Sequence, residues 1–450
     1  MTQTTATGRV LSRSSIAFTV LAAVAAGVIL WLGRGLTFYV DEWTFIESRS
    51  LADVASWWPP NNEHWSTVPT VVYRALVETV GLHSYVPYLA VVVALHLVSC
   101  GVLFVLVRRS SGAVIALAGA AVALFFGSGF ENLFWGFQIG FLTSTAAGLW
   151  ALTLLDGAPS RRRAAEVAFL LLVGLMSSGI GLTFTVVLAV EMLLNDRWRR
   201  WIALLAIPAA AYGAWFLAYG RAAVGLHGNP FGAEALARLP DYVSRGIVNA
   251  AGSFTGTGPY VGITAAVGIG VLAVAIIRRE HRLPARATSI LVGVVTLYAL
   301  IALARAHVAW GDAYDSRYTY VSGFLMLIAT ASLLGQPQWP ERRGDRAVMA
   351  IGGGALLSLA LLFNITLLTA GRDLFAQRAA LTRALVTVAL EPLPPTVDPD
   401  RSLVLVPSPR SIRTIMAKYG SPLEDTLVPD QVPPIPERVM EEARARLLGN

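Results

Sequence analysis

Charge is what this 450-residue chain has least of: 14% of its residues are Asp, Glu, Lys or Arg, against 55% hydrophobic. A water-soluble chain carries about a quarter charged residues, so a solvated globule is excluded. Lysine is nearly absent, Lys418 being the single one, and the 35 basic residues are otherwise all arginine. Cysteine is reduced to Cys100, inside an apolar segment, which rules out a disulfide framework and a cysteine metal site. Also missing are a Gly-Lys-Ser/Thr phosphate loop, a His-Glu-x-x-His zinc motif and a Gly-x-Ser-x-Gly elbow. Nucleotide-driven transport and serine hydrolysis therefore lose support.

What the chain has instead is long apolar runs. They fall at 15–34, 87–107, 112–128, 136–155, 164–177, 179–195, 200–219, 258–277, 287–304, 317–334 and 347–369. A helix of about 20 apolar residues crosses a ~30 Å hydrocarbon core. The runs thus predict an all-α polytopic membrane protein with about 11 transmembrane helices. Between them lie Arg108-Arg109, Arg161-Arg162-Arg163, Arg197 to Arg200, Arg278 to Arg286 and Arg342 to Arg346. All five clusters fall on one side, which the positive-inside rule makes cytoplasmic, together with the N-terminus. The net charge of +7 is therefore a topology signal, and no nucleic-acid partner is expected. Arg9 and Arg13 before an apolar run imitate a signal peptide. Ile16 to Leu32 is longer than a signal core and no small-residue cleavage site follows, so a retained first helix is expected.

The other side then holds the polar loops: 35–86, the Glu131–Gln138 turn, a short turn at 177–180, 220–257, Arg305–Arg317 and the region 371–450. In the first, Leu51, Val54, Ala55 and Trp58 recur at helical spacing before Pro59-Pro60, and Thr67 with Pro69 reads as a helix start. Both predict interfacial helices, with Trp57 and Trp58 at headgroup depth. A further helix is expected from Glu234 to Val248. Residues 1–370 read as a membrane module and 371–450 as a small extracytoplasmic appendage. That appendage should hold an amphipathic stretch Arg372 to Leu390, a short strand Leu403-Val404-Leu405-Val406 and a helix near Ser411–Tyr419. No internal repeat of the inverted-transporter kind is present.

Four outer clusters carry candidate chemistry. Asp41-Glu42, framed by Phe38, Tyr39, Trp43 and Phe45, could be two solvated interface carboxylates. Desolvation beside a second carboxylate would instead raise a pKa into the range useful for a base, and the pair could hold a divalent cation. Asn61-Asn62-Glu63-His64-Trp65 offers amides and a Glu-His pair suited to sugar hydroxyls or a metal, or is a plain polar connector. Glu131, Asn132, Trp135 and Gln138 combine polar groups with aromatics. The interfacial belt explains the aromatics but not an amide inside the start of a span. Arg305, His307, Arg317 and Tyr318 border one outer loop, where the two arginines break the positive-inside pattern. They suit a phosphate, or pair with Asp312 or Asp315. Arg221, Arg238 and Arg245 are weaker candidates for the same task. The Ser177-Ser178-Gly179 turn is explained by close helix packing, and the sequon at Asn364 lies within a span.

With Asp41-Glu42 just beyond its first span, the chain resembles the GT-C superfamily of integral-membrane glycosyltransferases. That group includes protein O-mannosyltransferases, aminoarabinose transferases and oligosaccharyltransferases. The resemblance covers about residues 1–370: many spans, an acidic residue in the first extracytoplasmic loop, and interfacial helices in that loop. It implies sugar transfer from a polyprenyl-phosphate-linked donor to an envelope glycan, lipid or protein at the plasma membrane. It further implies catalysis by Asp41 with Glu42, phosphate binding by Arg317, and in some members a metal, here Mg or Mn at Asp41, Glu42 and His64. Two other readings stand beside it: a lipid or polysaccharide transporter, or a non-catalytic envelope-assembly scaffold. A transporter would spread polar residues through the spans and both faces, whereas here they concentrate outside.

Overall fold

The computed structural model describes residues 12–224, 232–305, 311–427 and 432–448. Among them every regular element is a helix, and β-type pairing is confined to one bridge between Asn61 and His64. In a bilayer the backbone must satisfy its own hydrogen bonds, and a helix does so within one segment. Among the described residues eight helices are long and apolar enough to cross a membrane, from Arg13–Leu32 to Arg343–Leu390. The chain is a multi-pass helical membrane protein.

The expected count of about 11 spans and these eight differ at two places, the first of them two helices on either side of Gly112 counted as one stretch. Segments 87–107 and 112–128 fall in one helical stretch, Val86–Leu124, which Gly112 breaks with φ 84°. Only glycine holds that angle without strain. The chain then doubles back, bringing the Leu124 carbonyl within 3.3 Å of His96 Nε2. Segments 164–177 and 179–195 form Arg161–Leu175 and Ile180–Leu194, 15 residues each. At 1.5 Å per residue each measures about 22 Å, below the length of about 20 residues expected of a span, although Ile180–Leu194 still reaches from the Gly179 turn beside His64 to Glu191 at the Arg286 end.

Helices in lipid associate through close packing rather than hydrophobic drive. Gly148 admits the Phe184 ring, Gly246 the Tyr298 ring, and Gly181 lies on the Gly174 backbone. Ion pairs lock one end of the bundle. Arg286 grips Glu191 (2.6 Å) and Asp156 (2.9 Å), Asp156 also takes Arg109 (2.7 Å), and Gln336 donates to the Arg109 carbonyl (3.1 Å). Arg108 reaches Ser15 at the start of the first helix (3.1 Å). Because the helices alternate in direction, the polar loops meet at the other end.

At that end the first loop forms a short helix Glu42–Glu47, a single 3-10 turn Val54–Trp57, and the helix Thr67–Val80. The helix expected over 51–58 shrinks to that turn. Arg49, buried, instead draws the chain around itself by donating to the carbonyls of Ser56 (2.7 Å) and Pro60 (3.0 Å). The helix expected from Glu234 runs Ala233–Gly252. Arg343–Leu390, 48 residues, is about 72 Å long, so it crosses residue 370 without a break and continues well past a ~30 Å core. Leu403–Val406 is irregular, correcting the expected strand. No partner strand exists among the described residues, and an isolated strand has no ladder to join. Leu403 and Val406 enter the core while Val404 is 88% exposed. The helix Pro409–Tyr419 forms as expected. Asn364 is wholly buried and holds Ser128 and the Phe254 carbonyl, so its sequon is inaccessible.

Candidate active site

The two neighbouring carboxylates part company. Just before them Val40 adopts φ 46°, a left-handed conformation costing a β-branched residue about 1–3 kcal/mol. Glu42 secures the turn. Its Oε2 accepts the Tyr39 N–H (2.7 Å) and its Oε1 accepts the hydroxyls of Tyr73 and Tyr85 (2.8 Å to Tyr85). Tyr85 in turn accepts the Gly136 N–H (2.7 Å), and the Trp135 indole donates to the Tyr39 carbonyl (3.3 Å). Glu42 has no exposed surface and cannot touch a substrate. The catalytic part expected of it becomes a structural one.

Burial pushes the Glu42 carboxyl up to about 8, against the hydrogen bonds from Tyr73, Tyr85 and Tyr39. Asp41 is only partly buried. Burial raises its pKa as well, and a hydrogen bond from Asn62 with the charges of Arg317 and Arg305 opposes the rise. Of two adjacent carboxyls that resist sharing two charges, Glu42 keeps the proton near pH 7 and Asp41 faces the guanidiniums.

Asn62, Glu63 and His64 reach this place through a tight turn. Asn61 and His64 exchange both backbone hydrogen bonds (3.1 Å each), and Asn62 takes φ 52°, which asparagine tolerates. The turn sends Asn62 to Asp41 and Glu63 to Arg305 Nη2 (2.6 Å), with His64 Nε2 3.7 Å from Glu63. Burial works against the Glu63 charge, but His64 and Arg305 outweigh it and hold the carboxyl below its usual range. Burial lowers His64 below the ordinary imidazole value, so the ring is neutral near pH 7.

Arg317 pairs with Asp315 (2.8 Å) and lies 5.0 Å over the Tyr318 ring. Of the two partners expected for it, Asp315 is the one present; Asp312 meets Arg245 (3.4 Å). Glu131 accepts the Arg317 N–H (3.1 Å) and the Ser316 hydroxyl (2.9 Å), placing a carboxylate at the N-terminus of Ser316–Leu334, where the helix dipole favours it. Burial raises Asp315 to about 6 against the pull of Arg317. Asn132 donates to the Arg317 carbonyl (3.1 Å), and Gln138 is wholly buried with no protein partner for its amide. Asn132 and Trp135 thus brace the site, Gln138 has no hydrogen-bond partner among the described residues, and none of the three lines either cavity described below. Arg238 pairs with Glu234 and Arg245 with Asp241 along the helix Ala233–Gly252, and Arg221 is exposed. His307 lies outside the described residues.

Two cavities flank this cluster. One, about 240 Å³, has Glu63, His64, Arg305 and Tyr318 at its mouth and continues between the Ile180–Leu194 and Ala285–Arg305 helices past Thr183, Leu297 and Ile301. The other, about 840 Å³, is bordered by Glu131, Asn249, Tyr314, Asp315, Thr319 and Arg378. The start of Ser316–Leu334 divides them: Tyr318 faces the first, Ser316 and Thr319 the second. Gly179 belongs to the first cavity, and a Cβ there would lie 3.0 Å from His64 Nδ1. Its turn was explained by packing alone. Leu297 and Ile301 carry no sequence signal that separates them from any other span residue.

Among the described residues no three His, Cys, Asp or Glu side chains are grouped to hold a metal ion. Glu42 faces away, and Glu63 is engaged by Arg305. Asp41, Glu42 and His64 therefore do not fit a resident cation.

Among solved structures the chain is similar to ArnT from Cupriavidus metallidurans, crystallised bound to undecaprenyl phosphate. The identity is 15%, with 85% of this chain and 82% of that chain covered and a TM-score of 0.47. No family model and no curated protein matches. At that distance no residue role passes from one chain to the other.

Proposed function

We propose that this protein is a membrane glycosyltransferase that moves a sugar from a polyprenyl-phosphate-linked donor to an acceptor hydroxyl. The observation that carries the reading is Asp41. A partly buried carboxylate under the charges of Arg305 and Arg317 is hydrogen-bonded to Asn62, whose neighbours Glu63 and His64 line, with Arg305 and Tyr318, a cavity that continues between helices. A lipid-linked donor needs an apolar passage for its chain and cations for its phosphate, and its acceptor needs a base.

Asp41 takes the proton of the acceptor hydroxyl as that oxygen attacks the anomeric carbon. The bond from that carbon to the phosphate oxygen breaks, and the lipid phosphate leaves with the electron pair. It is a stable anion and needs no strong general acid. Arginine offers five N–H donors in a fixed fork. Arg305 and Arg317 can therefore keep Glu63 and Asp315 while turning other N–H groups to phosphate. The arginine clusters at the far end support an extracytoplasmic site. A transporter would need polar groups along a path through the spans. Of the buried polar groups there, His96 and Asn364 are taken up by Tyr320 and Leu124 and by Ser128 and Phe254, and the Thr183 hydroxyl, without a partner among the described residues, lies on the first cavity itself.

The test begins with mass spectrometry of lipids that co-purify with the detergent-solubilised protein, wild type beside Arg317→Ala. A polyprenyl phosphate or its sugar conjugate is expected in the wild type and depleted in the variant; bulk phospholipid alone in both would refute the donor. Asp41→Asn should retain the conjugate and lose turnover by about 10²–10⁴, the usual worth of a general base. Unchanged transfer in Asp41→Asn would refute the base.

A further inference from the structure

The chain from 371 onward has no part in that chemistry, yet it grips the Asp41 turn from both sides. Upstream, Arg383 is 3% exposed and donates through Nη2 to the carbonyls of Gly35 (2.7 Å) and Leu36 (3.3 Å). From the same helix Phe375 packs edge-on against Tyr39, and the Arg378 guanidinium lies 5.0 Å over the Tyr39 ring.

Downstream, Arg74 is 1% exposed and donates to the Ile46 carbonyl (2.8 Å) in the helix that Glu42 begins. Its Nη2 is shared between Glu78 and the Tyr419 hydroxyl (2.7 Å), and that hydroxyl donates on to Glu78 (3.1 Å). Tyr419 closes the Pro409–Tyr419 helix. Its carbonyl takes the Leu82 N–H (2.8 Å), the chain turns at Gly420 with φ 85°, and the Thr426 N–H reaches the His83 carbonyl (3.0 Å).

Between these anchors sits Val40, in a conformation that persists only where surrounding structure over-determines it. We propose that the C-terminal segment is a clamp on the Asp41 turn, with Arg383 and Tyr419 as positioning residues that hold the base in its reactive geometry. The clamp rests on the role proposed for Asp41. It is a working part of the enzyme rather than an appendage.

The test is hydrogen exchange by mass spectrometry on the full chain in detergent, comparing wild type, Tyr419→Phe and Arg383→Lys. Removing the Tyr419 hydroxyl should speed exchange over 38–47 about fivefold, the opening expected for one lost buried hydrogen bond. Exchange in the spans should not change. In the same variant the Asp41 carboxyl, followed by ¹³C-aspartate NMR with Asp41→Asn as the assignment control, should titrate closer to an ordinary carboxylate, because the loosened turn admits water. Unchanged exchange over 38–47 in both variants overturns the clamp, even if the tail itself loosens. Faster exchange with an unmoved Asp41 titration also overturns it, since the tail would then brace backbone without placing the base. Full turnover by Asp41→Asn would instead remove the base assignment and leave the exchange result standing, so the two failures are distinguishable.

Discussion

Glu42→Gln separates the two carboxylates by experiment. In the native protein Glu42 has no exposed surface, and its carboxyl is pushed from 4.5 up to about 8 by burial. The folded protein therefore holds a proton that the unfolded chain releases between those values. By linkage, the contribution of Glu42 to stability is greatest below pH 4.5, falls as pH rises toward about 8 and then levels off. At 1.36 kcal/mol per pH unit, the interval ties about 5 kcal/mol of folding free energy to this one proton. Glutamine resembles the protonated acid: its carbonyl can accept the Tyr39 N–H while its NH₂ donates to Tyr73 and Tyr85, and it does not titrate. At pH 5 the variant should lie within about 1–2 kcal/mol of wild type, the cost of imperfect pairing for one buried group. At pH 8.5 it should be the more stable of the two. The assay is thermal unfolding in detergent from pH 5 to 9, read as wild type minus variant so that Asp315, which is also raised, cancels. Parallel pH profiles for the two proteins would refute the reasoning. They would mean that Glu42 is ionised in the fold and that Asp41 does not carry the site's charge alone.

Two further outcomes follow from the same geometry. Arg305→Met leaves Glu63, 14% exposed, without its partner and should cost about 3 kcal/mol, the toll of breaking a buried pair. Adding Glu63→Gln should recover about half of that loss in melting experiments, with co-purified carrier lipid still missing; no recovery would show that the pair is not what Arg305 stabilises. Gly179→Ala places a Cβ 3.0 Å from His64 Nδ1 and should cost about 1 kcal/mol, as mild overpacking does. It should lower carrier-lipid retention more than it lowers the melting temperature, and unchanged retention would remove Gly179 from the cavity wall.

Much of the site was legible because its residues break a local rule. Arg305 and Arg317 stand on the wrong side for positive-inside, Asp41-Glu42 lies among aromatics, and Glu63-His64 interrupts an aromatic loop; the fold brings all of them to one end. What was misread is how neighbours divide. Adjacency in sequence made Asp41 and Glu42 look like a pair, but successive side chains of a turn point apart, and three tyrosines enclose one while two arginines flank the other. Asn132, Trp135 and Gln138 looked like pocket residues because polar groups lie there among aromatics and the Gln138 amide sits inside the start of a span, which needs an explanation. Hydrogen bonds from Asn132 to the Arg317 carbonyl and from Trp135 to the Tyr39 carbonyl supply it for two of the three, and Gln138 still lacks a partner.

By itself the sequence determined the solvent. With 14% charge and 55% hydrophobic residues, long apolar runs can only be helices in lipid, because that effect depends on composition within one short segment. Only the tertiary structure decided which carboxylate is reachable, which arginine faces which acid, where the apolar cavity opens, and that residues 383 and 419 close on residues 35 to 46. Those facts depend on contacts between segments hundreds of residues apart, and no local pattern in the chain encodes a separation of that length.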